Sequence, residues 1–203
     1  MKRLTTPKAA VVFGVLALAS LLAGCNVVVS DKPWFTATGA AGAPRLREGV
    51  WLGSSTCAVD ERRPIDAWPD CARPALVQKF GLVGLSKDNG RWQRTSYRYV
   101  LADGQPFILQ VGTRQNGKTV YLYDWVRVTG LDDQGRVIAF TAGPVLCGGS
   151  ATSGSSTSLY PGLVKQDTDC TASSVGALRG AAKASDAYAT PTGQGHWVRD
   201  GAR

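Results

Sequence analysis

Three features of the 203-residue sequence predict a mainly β fold, an antiparallel meander forming a sandwich or partial barrel with one C-terminal helix. Strand-like runs separated by short polar turns follow one another across residues 76–141, and short connections favour sequential antiparallel neighbours over parallel crossovers. The run at 119–128 has Val120, Leu122, Val126 and Val128 on one face and Tyr121, Tyr123, Trp125 and Arg127 on the other. Both faces are largely apolar, so this strand should be central and covered twice. Helical spacing stands out at one place, residues 174–189. Hydrophobic residues at 44% and charged residues at 19% give a globular balance and exclude wholesale disorder.

The elements can be justified in chain order. Gly49, Val50, Trp51 and Leu52 read as a first short strand. Residues 57–71, with Pro64, Trp68 and Pro69, read as a turn-rich loop without periodicity. Strands are expected at 76–83 and at 92–101, the latter alternating Thr95, Tyr97, Tyr99 and Leu101 with Arg94, Ser96 and Arg98. A turn at Ala102, Asp103, Gly104 and Gln105 leads to a strand at 107–111. Asn116-Gly117 is a hairpin signal feeding the strand at 119–128. Asp132, Asp133, Gln134 and Gly135 turn the chain into a strand at 136–141. Residues 148–158 contain only Gly, Ser, Ala and Thr and read as a loop. Ser173 or Ser174 can cap the helix, whose thin stripe at helical spacing is Val175, Leu178, Ala182, Ser185 and Tyr188 or Ala189. Gly176 and Gly180 weaken it by roughly 1 kcal/mol each, so it needs tertiary contacts. Thr190-Pro191-Thr192-Gly193 ends it, and a last short strand follows at 195–199.

The N-terminus reads differently. Lys2, Arg3 and Lys8 precede a nearly uncharged apolar run at 9–22. That run is short of the ~20 residues a membrane helix needs and suits an export signal. It ends in Leu22-Ala23-Gly24-Cys25, which resembles the lipobox of bacterial lipoproteins. The resemblance implies cleavage before Cys25 and lipidation of Cys25, and two or more acyl chains anchor stably at a membrane. In that family an Asp after the cysteine favours the inner membrane. Asn26 in that place implies the outer membrane, facing the periplasm. The expected organisation is a signal peptide over 1–24, a lipidated Cys25 and tether over 25–46, and one periplasmic domain over 47–203. Trp34 and Phe35 interrupt the small-residue tether and are expected to pack back on the domain.

Spending Cys25 on lipid leaves four cysteines, an even number that in an exported domain predicts two disulfides. Of three possible pairings, Cys57–Cys71 and Cys147–Cys170 each close a local loop without crossing. Each would contribute on the order of 3 kcal/mol in the chain-entropy model. No cysteines show C-x-x-C spacing and no His lies near any of them, so neither a metal site nor a cofactor is expected. Removing Lys2, Arg3 and Lys8 takes the formal charge from +8 to +5. The remaining basic residues are scattered, so no nucleic-acid partner is expected. The expected partners are the membrane, through Cys25, and an envelope protein or cell-wall component.

Three sets of residues could carry function. Tyr97, Tyr99, Tyr121, Tyr123 and Trp125 would form a ligand-binding platform if their rings aligned on one face, although cross-strand aromatic pairs also simply stabilise sheets. His196 could act as a general base if a carboxylate oriented it, but Asp200 is too far along an extended strand to do so. Asp132/Asp133 and Asp167/Asp169 are carboxylate pairs without an EF-hand pattern, and the first pair is better explained as turn residues. No G-x-S-x-G or phosphate-binding motif occurs, so no catalytic residue is assigned. The reading is a non-catalytic envelope lipoprotein. Gly49-Val50-Trp51 also resembles the G-x-W of the first lipocalin strand. That resemblance implies an eight-stranded barrel carrying a small apolar ligand.

Overall fold

The computed structural model describes residues 26–37, 40, 42–53, 57–79, 81–88, 90–115, 117–149 and 158–201. The signal segment, Cys25, Asn116 and most of the Gly/Ser-rich stretch at 148–158 lie outside them. The strands are β1 (Val29–Ser30), β2 (Gly49–Leu52), β3 (Pro74–Gln78), β4 (Gly81–Asp88), β5 (Arg91–Ala102), β6 (Phe107–Gln115), β7 (Lys118–Leu131), β8 (Val137–Pro144), β9 (Leu163–Gln166), β10 (Asp169–Ala172) and β11 (Gly193–Arg199), with helix α1 (Val175–Tyr188) before the last. Strands β2 to β8 form an antiparallel meander, and β11 pairs with both β8 and β2. Because β7 also pairs with β8, the eight strands close into an antiparallel barrel, and the sandwich alternative falls away. β1 is an extra strand on β7, and β9 and β10 form a separate hairpin.

The expected strand at 76–83 is two strands, with Gln78 opposite Gly81 across a tight turn. The reversal is marked only by the polar pair Gln78-Lys79 and by Gly81, without an Asn-Gly or Pro-Gly signal, so an unbroken strand could be read through it. The expected tether at 25–46 also differs. Val28 is fully buried, Phe35 is buried, and β1 pairs Val29 with Leu122 and Ser30 with Tyr121. Gln110 holds the next stretch. Its Oε1 accepts from the backbone N–H of Trp34 (2.8 Å) and of Phe35 (2.9 Å), and its Nε2 donates to the Phe35 carbonyl (2.9 Å). One side-chain amide thus serves as a short strand edge. Trp34 and Phe35 pack on the fold as expected.

Alternation along the strands builds three cores. Inside the barrel lie Trp51, Leu82, Leu109, Val111, Val126 and Phe140, among others. The Trp51 and Phe140 ring centroids are 5.5 Å apart. A second core forms outside the wall, where Tyr123, Trp125, Val28, Leu178 and Ala182 meet under α1 and the β9–β10 hairpin. The third lies under the 57–71 loop, where Trp68 packs on Val50, Leu52 and Leu85. Cys57–Cys71 closes that loop, around which lie two short 3-10 turns, and Cys147–Cys170 joins the segment after β8 to β10. α1 begins at Ser174, whose side chain accepts from Ala177 N (3.1 Å). Its Ser185 hydroxyl donates to Ala181 O and accepts from Leu146 N, both at 2.8 Å.

Two glycines admit close approaches that other residues would block. Gly49 has φ +128°, and a Cβ there would collide with the Arg199 carbonyl and lie 2.8 Å from Trp197 Nε1. A Cβ on Gly143 would lie 2.5 Å from Trp125 Cζ2. We expect Gly49→Ala to cost at least about 2 kcal/mol, since backbone strain and a steric clash add. Urea unfolding monitored by tryptophan fluorescence would check this, and an unchanged midpoint would refute the close β2–β11 approach. Replacing Cys147 and Cys170 together by Ser is expected to cost about 2–5 kcal/mol in the same assay.

Candidate functional site

The five aromatic residues do not form one platform. On β5, Tyr97 and Tyr99 face the barrel interior, opposite Leu82 and Val111 respectively. On β7, Tyr121, Tyr123 and Trp125 face outward into the core beneath α1 and the N-terminal segment. The barrel wall separates the two groups, because a period of two sends odd-numbered residues of β5 inward and those of β7 outward. Tyr123 is committed structurally. Its hydroxyl lies 2.6 Å from Ser30 Oγ, and burial pushes its pKa up to about 12 against the opposing Ser30 hydrogen bond.

One member of the set lines a cavity. Tyr99 and Leu101 meet Arg45, Leu46, Glu48 and Lys79 around a space of about 150 Å³ at the end of the barrel where residues 42–48 cross. The segment is fixed there by the Leu46–Val137 bridge and by Val137 N donating to Arg45 O (2.8 Å). Burial, with the Glu48 carboxylate, raises the Tyr99 pKa to about 12, and the Arg45 cation opposes them. The phenol therefore stays protonated at neutral pH, a hydrogen-bond donor beside one carboxylate and two cations over an apolar floor. That chemistry suits binding of a small polar or amphiphilic group. The volume matches a cavity that admits a single small ring, well below the roughly 300–1,000 Å³ of ordinary ligand pockets. Among its described lining residues there is no Ser, Thr, Cys or His.

The other sequence candidates fall elsewhere. His196 is on the outer face of β11, with Nε2 3.4 Å from Glu61 Oε1 in the 57–71 loop. Asp200 pairs instead with Arg47 at 3.2 Å. Asp132 is a turn residue, as expected. Its Oδ1 accepts from the backbone N–H of Gln134 (3.0 Å) and Arg136 (2.8 Å), and its Oδ2 meets Arg136 Nε at 2.7 Å. Asp167 occupies a positive-φ turn position, and Asp169 accepts from Val27 N at 3.4 Å.

Sequence reasoning passed over Asp124. It lies on the inward face of β7, between Leu109 of β6 and Pro144 of β8. It is buried, its Oδ2 has no hydrogen-bonding partner, and burial pushes its pKa up to about 8. The signal was a single acidic residue at an inward parity between Leu122 and Val126.

This carboxyl makes stability depend on pH. Unfolded, it ionises near 3.8; folded, it keeps its proton to about 8. Its contribution is full below pH 4 and is lost as pH rises to about 8, by up to about 1.4 kcal/mol per pH unit. Melting curves of the wild type and Asp124→Asn are expected to agree near pH 4 and to diverge up to pH 8, the variant being the more stable. Parallel curves would show that Asp124 ionises normally in the fold. Comparison with protein-family models, with curated proteins and with solved structures finds no match to this chain.

Proposed function

We propose that the chain is a lipid-anchored cell-envelope protein, held by Cys25 at the outer membrane facing the periplasm, whose barrel is a binding or structural module and not a catalyst. The observation that carries the reading is the disposition of the cysteines. All four beyond residue 25 are consumed in two disulfides, which leaves Cys25 as the fifth, at the end of a lipobox-like signal. Disulfides fit an oxidising compartment. No helix among the described residues is long and apolar enough to cross a membrane, so an acyl anchor would supply the attachment. The partner on this reading is an envelope protein or a cell-wall component.

A lipocalin-like carrier is the second reading, favoured by the closed eight-stranded barrel and by Trp51 of the G-x-W inside it. Side chains fill most of the interior, so the ligand would have to be small enough for the cleft at Tyr99.

The test is fractionation of cells carrying wild type or Cys25→Ser. Wild type is expected in the membrane fraction, released by detergent and not by salt, with an intact mass above that of the polypeptide from residue 25. The variant is expected to be largely soluble, with both disulfides intact. An unmodified wild-type mass would sink the reading. Native mass spectrometry of gently extracted protein then separates the two roles, since a discrete small-molecule adduct lost in Tyr99→Phe favours the carrier.

A further inference from the structure

We propose that the domain rests directly on the lipid bilayer, without a spacer, through the flank that carries Asn26, Leu159 and the β9–β10 hairpin. The proposal rests on the lipid-anchor reading above and adds which surface meets the membrane. Its first support is the start of the described chain. Asn26 O accepts from Cys147 N (2.9 Å), Val27 bridges Leu146, and Val28 runs parallel to Cys170. Cys147 and Cys170 are themselves joined. Asn26 is therefore tied to a disulfide-stapled part of the fold, and Cys25 is one peptide, about 3.8 Å between Cα atoms, away from it. Acyl chains on Cys25 would leave from the protein surface itself.

The second support is independent of the anchor. The large hydrophobic residues exposed among the described residues are Leu131, Leu159, Val164 and Tyr188. Two of these, Leu159 (37% exposed) and Val164 (54%), belong to this flank. Leu159 bridges Gly148, the neighbour of Cys147, and Val164 stands on β9 beside the strand that carries Cys170. Placed in the interface, these side chains bury apolar surface that is otherwise wet.

The cleft at Tyr99 lies at the other end of β8. Val137, which anchors its Arg45–Leu46 rim, begins that strand, and Cys147 lies beyond its end. The eight residues of β8 span about 26 Å. The bilayer would therefore leave the cleft open.

The experiment uses the purified full-length acylated protein in vesicles of phosphatidylethanolamine and phosphatidylglycerol that carry a doxyl-quencher lipid. An azide-bearing residue replaces Leu159, Val164 or Leu131 in turn and is coupled to an environment-sensitive fluorophore, and disulfide mapping verifies folding. Quenching is expected to be several-fold greater at 159 and 164 than at 131. A ten-residue Gly/Ser spacer between Cys25 and Asn26, with a mean span of roughly 17 Å, should remove most of that difference. Equal quenching at all three sites, stronger quenching at 131, or no effect of the spacer would overturn the proposal while leaving the anchor intact. Protein that carries no acyl mass and does not float with vesicles would overturn the anchor reading, and this proposal with it.

Discussion

A β-strand sends successive side chains to opposite faces, and β7 has to satisfy two cores by that rule alone. Its fourteen residues pair with β6 on one edge and with β1 and then β8 on the other. Val126 fills the barrel while Tyr123 and Trp125 fill the layer outside it. A register slip of one residue would exchange the two sets and put Tyr and Trp rings where Leu109 and Val111 leave no room. The outer layer of α1, the β9–β10 hairpin and the N-terminal segment exists because this strand presents a second apolar face that must be covered. Gly143 shows how tight the fit is, since the Trp125 ring occupies the place a side chain would take.

Two buried polar groups on adjacent strands follow opposite strategies. Gln110 spends its amide on three backbone groups of the N-terminal segment, so its burial is compensated. Asp124 has no such partners and remains neutral instead, which costs less than burying a charge. The first group orders a segment that composition alone would leave loose. The second makes the barrel wall sensitive to alkali.

Local signals in the sequence carried much of this architecture. Period-two alternation located most of the barrel strands, Ser174 marked the helix start, and local loop closure selected both disulfides. What stayed illegible depended on remote partners. β1 is two residues long and exists because β7 offers it an edge. β9 and β10 are four-residue strands held near the barrel by a disulfide and by packing under α1. The aromatic residues of β5 and β7 looked like one set because parity within a strand does not say which face is inward on the next. The Tyr99 cleft could not be read because Arg45 and Glu48 lie in a stretch that composition marked as tether or domain edge, and only the fold carries it across the barrel end. The carboxylate beside His196 is Glu61, which no local spacing relates to it.

The insertion of β11 between β8 and β2 sets the order of events during synthesis. Strands β2 to β8 can zip by local hairpins as they emerge. The ring closes only when residues 193–199 arrive and join His196 to both Leu52 and Ala139. Such distant pairing is slow to form. Until then β2 and β8 each present an edge to solvent with an open interior between them, the condition in which edge-to-edge aggregation is most favoured. Every newly made chain passes through that state before the ring closes. β11, which pairs with both open edges, is the element that ends it.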